Sequence, residues 1–335
     1  MPTFLSTPVA ITVSGLPATT WTSVDISSIV PAGTTAVMCS VRNGTGWTEY
    51  VLARATGETY NFAFSIYDGG GIHDYTQSQT IAQVSASRTI DIYVGVPSTA
   101  SFIIYGYFTN KELAIQTPFS VVNLSTFGAS GASWNTVDLS SYVSAYCGGK
   151  KAYGVIVLPM DNSYYGGSLM GIRPTGNTLN IYESAANSMK GWMAAPFTPG
   201  NGYKVDLYST YVGSPFMIIG FLLQDSLVIY NSSIPLNVTT TAVFQDVSTL
   251  PVGALAGLYT VTPSISVPSH AFAPSGGSAI DIYAGSYNGY LVGAVPCGSN
   301  QKVSIKCANT TQIFNEVGYW RTPPSAGQLF FGANY

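Results

Sequence analysis

The chain has 335 residues, enough for two or three domains of roughly 100–150 residues each. Only 8% of it is charged, against roughly 25% in an average soluble domain, so Ser, Thr and 23 Tyr take over the work of solvation. Ser, Thr, Gly or Pro interrupts every apolar run short of the ~20 residues a spanning helix needs, and 12 basic residues at net charge −3 leave no footprint for phosphate binding, which argues against membrane insertion and against nucleic acid as a partner.

Met1 to Pro8 carries no basic residue and runs into Thr12, Ser14 and Gly15 where a leader would keep its apolar stretch, so it reads as mature sequence. Val9-Ala-Ile-Thr-Val13 is the first strand pattern, short, β-branched and bounded by Pro and Gly. Trp21-Thr-Ser-Val-Asp25-Ile-Ser-Ser28 follows, and it returns as Trp134-Asn-Thr-Val-Asp138-Leu-Ser-Ser141, with Phe244-Gln-Asp-Val-Ser248 as a weaker third copy. An apolar strand after a glycine comes next: Gly33 then Ala36 to Val41, Gly149 then Tyr153 to Leu158, Gly253 then Leu255 to Val261. A turn closes on a glycine suited to positive φ in Arg54-Ala-Thr-Gly57, Arg173-Pro-Thr-Gly176 and Ala273-Pro-Ser-Gly276. Then recur Ile66-Tyr67, Ile181-Tyr182 and Ile282-Tyr283, followed by Asp91-Ile-Tyr93, Asp206-Leu-Tyr208 and Ser304-Ile-Lys306. Each copy closes on an aromatic strand around one glycine, Gly106, Gly220 or Gly318.

Ordered landmarks repeating in this way predict tandem units, which decide the architecture before any motif does. Charge interrupts the apolar pattern near Lys111-Glu112 and near Asp225, which places the units at 1–112, 113–226 and 227–321, with 322–335 left over as an extended arm. Short alternating strands with turns every few residues make the chain all-β, three tandem antiparallel β-sandwich repeats of jelly-roll or immunoglobulin-like topology. Val137 to Tyr146 is the stretch that fits a turn or two of helix. Cys39, Cys147, Cys297 and Cys307 read as thiols suited to a reducing cytoplasm, with a bridge between Cys297 and Cys307 left open.

Two histidines, five glutamates and ten aspartates over three units are a thin inventory for acid–base chemistry, so no catalytic residue, cofactor or metal is expected. His73-Asp74, beside Gly69-Gly70-Gly71, reads as a polar hairpin tip because no second ligand lies at metal spacing. Asp25 and Asp138 read as Asx turns, and Arg54 and Arg173 as turn anchors or as pairs across domains. Trp21 and Trp134 repeat in phase and therefore read as packing. Aromatics that do not repeat are the binding candidates: Trp47 with Tyr50, Tyr164-Tyr165, Trp192, and Tyr287 with Tyr290. In the arm, Pro323-Pro324 forbids a helix while Phe330, Phe331 and Tyr335 are too apolar for a solvated tail, so the arm is expected to dock on a neighbouring domain or subunit. The interface candidates are thus Phe330, Phe331, Tyr335, Trp47 and Trp192.

The Trp-x-x-Val-Asp-[Ile/Leu]-Ser-Ser phrase, the Arg-x-Thr-Gly turn and the threefold repetition resemble bacteriophage virion structural proteins of tandem β-sandwiches, of the capsid decoration and head- or tail-fibre type. The resemblance implies a non-enzymatic role in a virion assembled in the host cytoplasm, with other virion proteins and further copies of the chain as partners, a trimer by analogy. A glycan-binding adhesin or tandem carbohydrate-binding module, whose exposed aromatics would stack on host-surface sugars, is the alternative.

Overall fold

A computed structural model describes residues 1–43, 49–59, 65–66, 76–123, 131–159, 169–184, 191–211, 213, 215–239, 243–262, 270–275, 282–283, 291–307 and 313–324. The first unit runs through β1 (Thr3–Ile11), β2 (Thr22–Asp25), β3 (Thr34–Asn43), β4 (Glu49–Ala55), β5 (Ser65–Ile66), β6 (Thr76–Gln83), β7 (Thr89–Val94) and β8 (Ser101–Thr109). The second comprises β9 (Leu113–Asn123), β10 (Ser133–Asp138), α1 (Ser140–Tyr146), β11 (Gly154–Pro159), β12 (Leu169–Pro174), β13 (Tyr182–Ser184), β14 (Met193–Pro196), β15 (Lys204–Ser209) and β16 (Pro215–Leu222). The third comprises β17 (Leu227–Leu236), β18 (Gln245–Thr249), β19 (Ala254–Thr262), β20 (His270–Pro274), β21 (Ile282–Tyr283), β22 (Leu291–Pro296), β23 (Lys302–Cys307) and β24 (Ile313–Arg321). The helix α1 falls inside the stretch the sequence marked for it.

Among the described residues, every unit folds eight strands into two four-stranded antiparallel sheets, ordered first-eighth-third-sixth and second-seventh-fourth-fifth. That order, the same three times, is the jelly roll, so the choice left open against the immunoglobulin arrangement resolves to it. The turn glycines Gly57 and Gly176 adopt φ of +89° and +85°, the left-handed region that Arg-x-Thr-Gly needs to turn back. The closing glycines answer a different need. A Cβ on Gly106, Gly220 or Gly318 would lie within 3 Å of the carbonyl oxygen of Thr3, Ala114 or Val228, because the unit's first strand crosses there. Beside each glycine that first strand breaks register, between Phe4 and Val9, Ile115 and Ser120, and Ile229 and Ile234, a bulge repeated three times.

Unit 1 keeps a core of its own between its sheets, built by Val37, Cys39, Val41, Ala53, Ile90, Ile92, Phe102 and Ile104. The other face of its first-eighth-third-sixth sheet is also apolar: Ala36, Met38, Ile81, Tyr105 and Phe108 belong to one continuous cluster with the interiors of units 2 and 3. In unit 2, β11 and β16 are buried at every residue, so both faces of that sheet are covered. The units meet as a ring. β14 of unit 2 lies against β17 of unit 3 and β22 of unit 3 against β1 of unit 1, while β13 packs on β22 and β21 on β6. The unit 2–3 and unit 3–1 junctions thus use the same surfaces head to tail, and Trp192 of unit 2 reaches Tyr105 and the Gln79 carbonyl of unit 1, which sets the three units about a pseudo-threefold axis inside a single chain.

Near that axis the second unit places Trp192 where the first has Gln79, two residues ahead of the equivalent Ala194 and Ile81. The indole of Trp192 lies 6.3 Å from that of Trp320, and Phe108 meets Trp320 edge-on at 5.9 Å. Gln79 Oε1 accepts hydrogen bonds from Tyr105 Oη at 3.0 Å and from the Ala294 backbone N–H at 2.9 Å, tying unit 1 to unit 3.

Candidate functional site

The outer face of each second-seventh-fourth-fifth sheet carries the repeated charges. In unit 1 the Arg54 guanidinium sits 3.9 Å from the Trp21 ring centre with Nε 3.5 Å from Asp91 Oδ2, and Tyr93 closes on Trp21 at 5.6 Å. Unit 2 repeats it with Arg173 4.1 Å from Trp134, Asp206 at 3.5 Å and Tyr208 at 5.4 Å. Arg54 faces Asp91 and Arg173 faces Asp206 across adjacent strands, so these arginines pair with carboxylates of their own sheets. In unit 3 the same register sets Ala273 against Ser304. The carboxylate has moved one strand over, to Asp246, which accepts from Ser304 Oγ at 2.6 Å; in unit 2 the hydroxyl of Thr136 donates to Asp206 at 2.8 Å across the same pair of positions. The cation has moved as well, and Lys306 Nζ lies 5.7 Å from the Phe244 ring. A cation on an aromatic ring thus knits this sheet in every unit, joined by a carboxylate–hydroxyl pair in units 2 and 3.

Asp25 and Asp138 are Asx turns: Asp25 Oδ1 accepts from the Ser27 N–H at 2.7 Å, and Asp138 Oδ1 from the hydroxyl and N–H of Ser140. Those hydrogen bonds favour the ionised form and hold both carboxyls below the usual range. All four cysteines are free, so no bridge joins Cys297 to Cys307, and burial pushes the thiols of Cys39, Cys147 and Cys297 up. Among the described residues no three His, Cys, Asp or Glu side chains gather where a metal could bind, and no helix is long and apolar enough to cross a membrane.

A cleft of about 960 Å³ opens where unit 2 meets unit 3. Its unit 2 wall consists of Lys151, Tyr153, the Pro174–Asn177 turn and the Pro196–Tyr203 hairpin; its unit 3 wall consists of β17 from Leu227 to Ile229, with Asp225 and Arg321 at one end. Phe197 packs edge-on to Tyr203 at 5.4 Å and lies over the core residue Phe221. Lys151 Nζ stands 4.8 Å from the Tyr153 ring, and Arg321 pairs with Asp225 at 3.2 Å. Asn177 Nδ2 donates to the Tyr230 carbonyl at 3.0 Å and Thr178 Oγ1 to the Asn231 carbonyl at 3.1 Å, which stitches the two walls together.

Trp192 is 1% exposed at the pseudo-threefold axis, so it packs units against one another and presents nothing to an outside partner. Trp47, Phe330, Phe331 and Tyr335 lie outside the described residues, as do the pairs Tyr164-Tyr165 and His73-Asp74 and the residues Tyr287 and Tyr290. Tyr50 is on β4 and His270 on β20, where it stands opposite Cys307 in register. The cleft residues Tyr153, Phe197 and Tyr203 were not among the sequence candidates, because Tyr153 read only as the start of an apolar strand and lies far along the chain from Phe197 and Tyr203. A position-by-position comparison of the three copies would have found them as departures from the repeat.

No protein-family model matches the chain, and no curated protein matches it. Among solved structures, the N-terminal CBM22-1-CBM22-2 tandem domain of Xyn10C from Paenibacillus barcinonensis is similar over 60% of this chain and 81% of its own, at 9% identity and a TM-score of 0.17, a likeness too loose to carry an argument.

Proposed function

We propose that the chain is a non-enzymatic structural protein of a virus or bacteriophage particle, which decorates or stabilises the capsid or forms part of a fibre or tail assembly. The observation that carries this reading is the ring of three jelly rolls fused through a shared core, a body with three near-equivalent outer sheets matched to a threefold position on a symmetric shell. Jelly rolls recur in capsid proteins and in lectins alike, so the fold supports the class of role by analogy. Low charge and abundant Tyr suit contact with partners through broad neutral surfaces.

The test is to label particles released from the cells that make the protein with an antibody against it, and to image them. A regular array of label at fixed ratio to the shell subunit is the expected result. A protein recovered wholly in the soluble fraction, with bare particles, overturns the assignment.

A further inference from the structure

The repeat supplies its own control for the cleft. Backbone hydrogen bonds identify equivalent positions: Val84 N to Thr35 O, Phe197 N to Tyr153 O, Cys297 N to Leu255 O, and likewise Ile26 N to Arg88 O, Leu139 N to Tyr203 O, Leu250 N to Gln301 O. At the three places where unit 2 has Tyr153, Phe197 and Tyr203, unit 1 has Thr35, Val84 and Arg88, and unit 3 has Leu255, Cys297 and Gln301. The jelly roll forms twice without aromatic rings there, so the fold does not demand them. All three line the same cleft, whose volume falls within the ~300–1,000 Å³ of small-molecule sites.

The chemistry of the lining selects among ligands. Three half-buried aromatic rings suit the apolar C–H face of a sugar, while Thr198, Asp225 and Arg321 supply a polar rim for hydroxyls. Charge narrows the choice further. The chain carries 12 basic residues in all and a net charge of −3, yet Lys151 and Arg321 both line this cleft against the single acid Asp225. Arg321 is engaged by Asp225, whereas Lys151 is exposed and, among the described residues, has no carboxylate within ion-pair distance.

We propose that this cleft binds a saccharide carrying a carboxylate, such as a sialic- or uronic-acid residue, with its ring against Tyr153, Phe197 and Tyr203 and its carboxylate toward Lys151. The site does not rest on the particle assignment, since such a cleft works equally on a virion or on a free protein.

Isothermal titration of the full chain with 3′-sialyllactose, a glucuronosyl disaccharide and lactose tests it, beside the variants Lys151→Ala and Tyr203→Ala, with melting temperature as the folding control. At least one acidic sugar is expected to bind in the millimolar range, about tenfold or more tighter than lactose. Lys151→Ala is expected to erase that preference without shifting the melting temperature, and Tyr203→Ala to weaken acidic and neutral sugars alike. Lactose binding as well as both acidic sugars, an unchanged preference in Lys151→Ala, or no binding of any of the three at about 10 mM overturns the proposal, and none of these outcomes bears on whether particles are labelled.

Discussion

Replacing Gln79 by Met keeps the side chain's length and removes its carbonyl. The two donors that Gln79 Oε1 satisfies, the Tyr105 hydroxyl and the Ala294 N–H, belong to residues with no solvent exposure, so no water can replace it. Each buried donor left without an acceptor costs about 1–3 kcal/mol, so Gln79→Met should lose about 2–6 kcal/mol of a total that for most proteins is about 5–15 kcal/mol. Tyr105→Phe alone should cost only about 0.5–1.5 kcal/mol, since Gln79 keeps its bond from Ala294. The contact from Trp192 Nε1 to Tyr105 Oη, at 3.4 Å, is too long to add much. In the Gln79→Met background the same change removes an orphaned hydroxyl, so the double variant should be more stable than Gln79→Met by about 1 kcal/mol or more. Urea melts followed by tryptophan fluorescence give the four free energies, Trp192 and Trp320 being the reporters at the axis. If Tyr105→Phe costs the same in both backgrounds, Gln79 is not the acceptor that ties unit 1 to unit 3.

Arg54→Ala should destabilise unit 1 by about 1–3 kcal/mol by stranding Asp91, which is 8% exposed, whereas Arg54→Ala with Asp91→Ser, the solution unit 3 already uses, should restore most of the loss in thermal melts. Gly220→Ala sets a Cβ 2.6 Å from the Ala114 carbonyl oxygen and should cost about 1–3 kcal/mol, while Gly213→Ala, with nothing within 4 Å, should stay within about 0.5 kcal/mol of the parent. Asp246 is held below its ordinary value of 3.8, chiefly by the Ser304 hydroxyl, so its contribution is present above that value and fades as pH falls through its folded value. The melting-temperature gap between the parent and Asp246→Asn should therefore be full at neutral pH and narrow on acidification below about pH 4; a gap that is constant with pH refutes this.

The tandem β-sandwich was legible because its landmarks are fold requirements, namely glycines that turn or make room and alternating strands around them. The ring was harder to read. Val155 to Leu158 and Phe216 to Leu222 are apolar without alternation, which signals a strand buried on both faces, and it was the second face that packs the units together. Arg54 and Asp91 were both visible as repeats, but only strand register sets them opposite each other. Trp192 was a candidate for an outside partner because it does not repeat. It fails to repeat for a steric reason: the Trp192 backbone N–H meets the Gln79 carbonyl across the junction of units 1 and 2, so a second indole in place of Gln79 would crowd the space the first one fills.

In a ring of three separate identical chains, every substitution is made three times, so whatever sits on the axis must tolerate its own copies, and every pocket comes in threes. Linking the copies covalently lifts both constraints. A glutamine can serve as acceptor for a neighbour that is no longer its twin, and an aromatic cleft can exist at one junction while other side chains stand at the same positions in the other copies. The body keeps the outline of a trimer but gains an orientation, with one marked junction, and its stoichiometry for anything bound there is one per ring. Dilution cannot take it apart, because the partners of each interface are held at fixed effective concentration by the chain itself.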